Sequence, residues 1–360
     1  MAWKSALRGL EVVVVDEEPG RGASWAAAGM LAPVTEVHYG EESLLQLNLS
    51  SAASYGDWAA ELEDASGESV GYRRTGTLMV ARDADENAAL EDIYRYQLKL
   101  GLDAQRLRSG ECRELEPALA PTVRGGILVA GDHQVDNRAC VSALVKACHG
   151  AGVSFHEARV ESVAGGSRAE GVALSDGREL SSSQIVLAAG SWTGRIGGLA
   201  SDAVPPIRPV KGQLIHLNAR PGVTLPERTV RGADVYVVPR ADGRIVVGAT
   251  VEEQGFDTTI TAGAVHQLLD DAYELLPGIA ELELTEVASG LRPASFDNAP
   301  FIGPTRVPGL VLAAGHFRNG ILLAPVTADL IADYLVDGTV GDLMRPFLPE
   351  RFEPAGRAAS

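Results

Sequence analysis

Positive charge is in short supply in this sequence. Against 48 acidic residues stand 31 lysines and arginines, a formal net charge of -17, and no basic run is longer than a pair. A surface this acidic repels phosphate backbones, which excludes nucleic-acid binding as a primary role. Cysteine is scarcer still. Cys112, Cys140 and Cys148 are odd in number and form no CxxC pair, so they supply no zinc or redox motif and fit a reducing compartment. The seven histidines show no HExxH spacing, and no metal is expected. No apolar run reaches the ~18 residues of a membrane span; GILLAPVTADLIADYLV is interrupted by Asp329 and Asp333. The first ten residues lack the apolar region and cleavage site of a secretory signal. These absences describe a cytoplasmic protein with no membrane or nucleic-acid partner.

One further absence frames the functional question. GLEVVVVDEEPG (Gly9 to Gly20) reads as a buried parallel strand, Glu11 to Val15, ending on Asp16. In a dinucleotide-binding fold an acid at that place accepts from the ribose hydroxyls of NAD or FAD. The glycine-rich loop whose N–H groups meet the pyrophosphate is nowhere in the chain. Trp3, Ala6, Leu7 and Leu10 have the spacing of a helix with one buried face, so a helix feeds straight into the strand.

What is present divides into two textures. ASWAAAGMLAP (Ala23 to Pro33) is rich in small residues, which suits either a helix packed on a sheet or close approach to a flat ligand. SSQIVLAAGSWT and GLVLAAGHFRNG are apolar strands ending in glycine, the second leading into a helix from about Ile321 to Leu335. VALSDGREL carries an Asp-Gly hairpin turn. Such strands place ligands at the carboxyl edge of a parallel sheet. They occur at the start, middle and end of the chain, so one domain is assembled from separated segments. GYRRTGTLMVA, RPVKGQLIHLN and the hairpin DVYVVPRADGRIVVGAT alternate polar and apolar residues, as an antiparallel sheet does. Helices are expected near Asp85 to Leu100 and Ala262 to Leu276, the latter ended by Pro277-Gly278.

Taken together, EVVVVDEEPGRGASWAAAGMLAP, IVLAAGSWT, RPVKGQ, YVVPRADGRIVVGAT, SGLRPASFDNAPFIG and GHFRNGILLAPVTADLIADYL resemble the FAD-dependent glycine/D-amino-acid oxidase (DAO) family, and within it the glycine oxidases of thiamine biosynthesis. The resemblance covers essentially the whole chain in order. It implies an α/β fold with a Rossmann-like FAD-binding domain of the glutathione-reductase type and an α+β second domain built on an antiparallel sheet. The first would comprise residues 1–36, 137–204 and 291–346, the second 37–136 and 205–290, with 347–360 as a tail. The family pattern opens with a strand and a GxGxxG loop ahead of the first helix. The expectation is therefore that upstream DNA encodes both in frame; the alternative is a truncated, inactive flavin-fold protein.

The resemblance also assigns roles. It implies non-covalent FAD, since no cysteine lies in GHFRNG, where covalent-flavin relatives attach the cofactor. Asp16 would take the ribose; Ser24, Ala28, Gly29 and Met30 would lie against pyrophosphate and flavin; Val160 would meet the adenine and Gly190 the cofactor at close approach. Gly315, Asn319, Gly320 and Ile321 would present the opening of the last helix to the flavin. Arg292 would hold the substrate carboxylate through two parallel hydrogen bonds, with Tyr236 adding a hydroxyl. Read without the family, these two are equally a solvated arginine and a packed strand tyrosine. Arg318 would place a charge or carbonyl near the substrate amine, and His316 is as well explained by packing as by catalysis. The implied activity is oxidation of glycine to its imine, then glyoxylate and ammonia, with oxygen reduced to peroxide. The imine would supply a thiazole synthase for thiamine. Alternatives are a D-amino-acid or sarcosine oxidase, or a quinone-linked D-amino-acid dehydrogenase. Family members are commonly tetramers, so a homo-oligomer is expected.

Overall fold

The long strands of the chain read their own burial from side-chain alternation, and that alternation decides which residues reach the functional site. The computed structural model describes residues 1–200 and 202–352, so the last part of the expected 347–360 tail lies outside the described residues. Its largest sheet has eight strands in the order Glu283–Ala294, Arg208–Asn218, Arg244–Gly248, Tyr236–Pro239, Thr229–Arg231, Thr77–Ala81, Gly125–Val129 and Gln105–Arg108. All neighbours are antiparallel except Thr229–Arg231 beside Thr77–Ala81.

On one face Ile215, Leu217, Val237, Ile245 and Val247 pack under the helix Ala262–Leu275 through Leu268, Ala272 and Leu275. That helix is capped by Thr261, whose hydroxyl accepts from Ala264 N–H. The alternate residues Gly212, Leu214, Tyr236, Gly248, Gly290 and Arg292 therefore point to the other face, because directly paired residues share a face.

The remaining strands form smaller sheets. Val13–Asp16 pairs in parallel with Ser154–Glu157. Ile185–Leu187 pairs in parallel with Leu310–Ala314, which is antiparallel to Phe301–Pro304. Each of the strands Val13–Asp16 and Ile185–Leu187 has one neighbour among the described residues, and the free edges of both open into the same cavity. The helix Ala2–Leu7 ties the two groups together. Trp3 is buried beside Cys140, Ala143 and Cys148 of the helix Asn137–Gly150, while Arg8 pairs with Asp329 and Asp333 on the last helix. The 25-residue helix Glu42–Ser66 packs Tyr55, Trp58 and Leu62 against that same cluster, and Leu44 and Leu47 against Ile302 and Val311. Gly67, at φ 69°, ends it in the left-handed conformation that glycine adopts without strain.

Three expectations need correction in detail. The valine strand runs Val13–Asp16, displaced from Glu11 to Val15. Residues 23–27 form turns and a bend, taking the close-approach alternative over the helix, with the short strand Met30–Leu31 following. The last helix spans Ala324–Asp337, not Ile321 to Leu335; Phe317–Asn319 is a separate 3-10 turn, and Pro325 sits in the helix's first turn, where its missing N–H costs nothing. All three cysteines are buried and free, and burial raises Cys112 to about 11 and Cys140 to about 12. They are packing residues, unreactive at neutral pH.

Candidate active site

A single cavity of about 2620 Å3 runs from the end of the valine strand to the concave face of the large sheet. Asp16, at the end of the valine strand, marks its outer end, and Tyr236 and Arg292, on the large sheet, its far end. Ser24, Ala28, Gly29, Met30, Val160, Gly190, Arg318, Asn319, Gly320 and Ile321 also line it. These separated stretches of sequence are thus brought to one surface. Gly315 is the exception. It makes the turn after Leu310–Ala314 at φ 79°, its open side facing Phe301 and Ser295, and it is not part of the cavity wall.

The small-residue segment has a definite physical reason. Arg240, 6% exposed, donates to the carbonyls of Ala28 and Val135 at 2.7 and 2.8 Å. Asn137 donates to the carbonyls of Ser24 and Trp25 at 2.8 and 3.1 Å. These two clamps hold the segment flat on the sheet. A Cβ on Gly29 would stand 2.0 Å from the Val135 carbonyl oxygen, and one on Gly290 would stand 2.6 Å from the Ala26 Cβ. Neither clamp was legible in sequence, because both come from strands and helices more than a hundred residues away.

At the far end Arg292 crosses over Gly212. Its Nη1 donates to the Thr250 carbonyl at 3.0 Å and to the Lys211 carbonyl at 3.4 Å. Both acceptors are neutral, and none of its hydrogen-bond partners among the described residues is a carboxylate. Lys211, next in sequence to Gly212, faces the other way and is neutralised by Asp257 at 3.1 Å and Glu252 at 3.6 Å. Tyr236 lies beside Arg292. Burial raises the Tyr236 pKa while the Arg292 charge opposes that rise, and the hydroxyl keeps its proton at neutral pH.

Arg318, expected to place a charge or carbonyl near the substrate amine, has its guanidinium paired with two acids. Its Nε is 3.2 Å from Glu36, and its Nη2 also pairs with Glu41. Glu36 pairs in turn with Arg231, a guanidinium that burial lowers to about 10. Arg231, Glu36 and Glu41 escaped the sequence reading. The available signals were weak: Glu36 lies three residues past the small-residue segment, and Arg231 stands opposite Tyr236 across a hairpin. His316 shares a hydrogen bond of 3.0 Å with the Thr327 hydroxyl, and burial lowers it to about 4, so the ring is neutral.

These walls fit FAD. Asp16 has one oxygen occupied by Glu18 N–H at 2.8 Å and offers the other at the cavity's outer end. Gly190 has φ 52° and nothing within 4 Å of its open side, which leaves room for a ligand against the backbone. Apolar Leu214 and Met30 beside the clamped turn make a flat wall of the kind a ring system needs. Among the described residues no group of three or more His, Cys, Asp or Glu side chains is placed to hold a metal, and no helix is long and apolar enough to cross a membrane.

Comparison with known proteins agrees with this geometry. Residues 1–334 match the DAO family, described as FAD dependent oxidoreductase. The chain is 36% identical over 349 residues to the bifunctional protein ThiO/ThiG of a Synechocystis strain, covering 95% of this chain and 50% of that protein. It is 35% identical over 319 residues to the glycine oxidase of Geobacillus kaustophilus, covering 87% of this chain and 83% of the relative. The crystal structure of glycine oxidase from the same organism superposes with a TM-score of 0.89 at 32% identity, over 98% of this chain and 95% of the other. The chain spans about half the length of the bifunctional relatives it matches.

Proposed function

The chain belongs to the DAO family of FAD-dependent oxidoreductases, and from that premise we propose that it oxidises glycine and similar small amines bearing one carboxylate. The observation that carries this reading is Arg292, a guanidinium at the end of a cofactor-sized cavity whose acceptors are carbonyls alone. A half-buried cation without an anion is unfavourable until one arrives. A substrate carboxylate supplies it, taking two parallel bonds from Arg292 and one from the Tyr236 hydroxyl. Fixing the carboxylate fixes the α-carbon relative to the clamped segment Ser24–Met30, which is the orientation that a two-electron oxidation needs. Bound FAD would supply the electron acceptor, reoxidised by oxygen to give peroxide. Asp16, Val160, Gly190 and the segment Ser24–Met30 would hold it, with Asn319–Ile321 facing the ring. Glu36 and Glu41 are committed to arginines, and burial lowers the His316 pKa to about 4, too low to keep a proton taken from an ammonium group, so these side chains offer no effective base. The substrate amine accordingly enters unprotonated and leaves as the imine, which water converts to glyoxylate and ammonia.

The likeness to ThiO/ThiG supports delivery of that imine to thiazole assembly for thiamine. The expected division into a cofactor part (1–36, 137–204, 291–346) and a substrate part (37–136, 205–290) belongs to the same proposal. So do a homo-oligomer, read by light scattering, and a cytoplasmic location, read by fractionation. The direct test is peroxide release from the FAD-loaded protein with glycine, sarcosine and D-alanine. Silence on all three refutes the oxidase reading, and dye reduction without peroxide would instead mark a dehydrogenase.

A further inference from the structure

We propose that Glu36 sets the substrate class: its carboxylate fills, between Arg231 and Arg318, the place where a second substrate carboxylate would bind, so the site accepts amines with one carboxylate and refuses those with two. The inference rests on the proposed binding of the first carboxylate at Arg292.

Arg231 and Tyr236 are direct partners across a hairpin, and Tyr236 pairs on its other side with Gly248. Their side chains therefore stand on one face about 5 Å apart. Arg292 reaches Tyr236 from the opposite flank, so the phenol lies between two guanidiniums, both close enough to act on its proton. The first guanidinium has carbonyl acceptors only. The second is ion-paired with Glu36, which also lies 3.2 Å from Arg318 Nε; neither Arg231 Nη1 nor Arg318 Nε has a hydrogen-bond partner among the described residues, so Glu36 answers both by charge. The three side chains are 11% (Glu36), 16% (Arg318) and 21% (Arg231) exposed, all lining the cavity.

Counting charge at this end gives the selectivity. Arg231, Arg318 and Arg292 face Glu36 and Glu41, which leaves one positive charge unmatched. Asp271 and Asp234 on the same wall share Arg82 with Glu86, and the Asp234 side chain is 75% exposed to solvent; the imidazole of His38 is held towards its neutral form. One carboxylate matches the single guanidinium charge left over in the group Arg231, Arg318, Arg292, Glu36 and Glu41. A second carboxylate would have to displace Glu36 or sit against it in a poorly solvated space. Removing the Glu36 charge should open a ready-made second anion position with two cations aimed into it.

The test is calorimetric binding of acetate, malonate and succinate to the full chain, its Glu36→Gln variant and its Glu36→Ala variant. The unaltered chain is expected to bind acetate more tightly than either dianion. In the variants the order should reverse, with the dianion-to-acetate preference rising about tenfold or more, the value of one charge-assisted hydrogen bond. A preference that stays unchanged in both variants while acetate still binds overturns the proposal. If the variants fail to melt cooperatively, the unaltered chain decides: a dianion bound more tightly than acetate overturns the proposal, and the reverse order supports it. Absence of acetate binding in the unaltered chain would instead overturn the role given to Arg292. A merely structural Glu36 would weaken all three ligands together and leave their order intact.

Discussion

Gly212→Ala separates binding from folding at this site. A Cβ there would stand 2.4, 2.5 and 2.6 Å from Nη1, Nη2 and Cζ of Arg292. Ordinary contact is about 3.5 Å, so the guanidinium must retreat by about 1 Å. The backbone does not resist: Gly212 lies within a regular antiparallel strand between Val210 and Leu214, and alanine suits a strand better than glycine does. The displaced group is the end of a flexible side chain, so folding should be nearly unaffected. Carboxylate binding should suffer, because two parallel bonds demand a fixed plane. Loss of one charge-assisted bond is worth about 1.5–3 kcal/mol, roughly ten- to a hundredfold in affinity. The assay is acetate binding by calorimetry beside a thermal melt, repeated in an Arg292→Ala background. There Gly212→Ala should change acetate affinity by less than about twofold, since the group it acts through is gone. Acetate affinity untouched in the single variant, or lowered equally in both backgrounds, refutes the argument.

Arg292→Gln should raise the glycine KM by about a hundredfold or more, while its melting temperature holds or rises because an unmatched half-buried charge has been removed; a lowered melting temperature with normal KM contradicts both halves. Gly29→Ala combines φ 73° with a Cβ 2.0 Å from the Val135 carbonyl oxygen, and should cost about 2–4 kcal/mol in urea unfolding. His316 has its folded pKa depressed from 6.5 to about 4 by burial. The unfolded chain then binds more protons between those values, so stability rises with pH across that window and is lost as pH falls through it. His316→Gln should flatten the fall in melting temperature between pH 6.5 and 4, and an unchanged slope would mean the ring is not held neutral.

The strands legible in sequence were those whose chemistry is local. Arg208–Asn218 and the hairpin around Asp242-Gly243 alternate cleanly, whereas Tyr236 was singled out by the family resemblance and not by alternation. The helix Ala84–Lys99 begins where Asp83 caps it and Ala262–Leu275 where Thr261 does. What escaped was long-range. No local pattern announces that Arg240 will reach the Ala28 carbonyl, or that Glu36 will stand between Arg231 and Arg318. Arg318 was found by position, but the two acids that pair with it come from a loop about 280 residues earlier. The start of the last helix was misplaced because GHFRNGILLAP keeps a helical apolar spacing through a segment that is in fact a 3-10 turn and a bend.

The cavity's two ends differ in how they are held. At the substrate end Gly212 and Tyr236 sit on strands paired on both sides and Arg292 on the edge strand Glu283–Ala294, which pairs along its length with Arg208–Asn218; glycines leave the side chains no slack, with Gly212 under Arg292, Gly248 under Tyr236 and Gly290 under Ala26. The outer end lies between the free edges of Val13–Asp16 and Ile185–Leu187, with Val13 46% exposed. The whole volume, about 2620 Å3, is larger than the roughly 300–1,000 Å3 of a usual ligand site, and those open edges bound part of the excess. Unpaired backbone groups along an apolar strand seek partners. Carboxylate recognition is therefore a property of the large antiparallel sheet, whereas cofactor affinity depends on what fills the space between the two edges. The two should respond to different substitutions, and Gly212 and Glu36 belong to the first set alone.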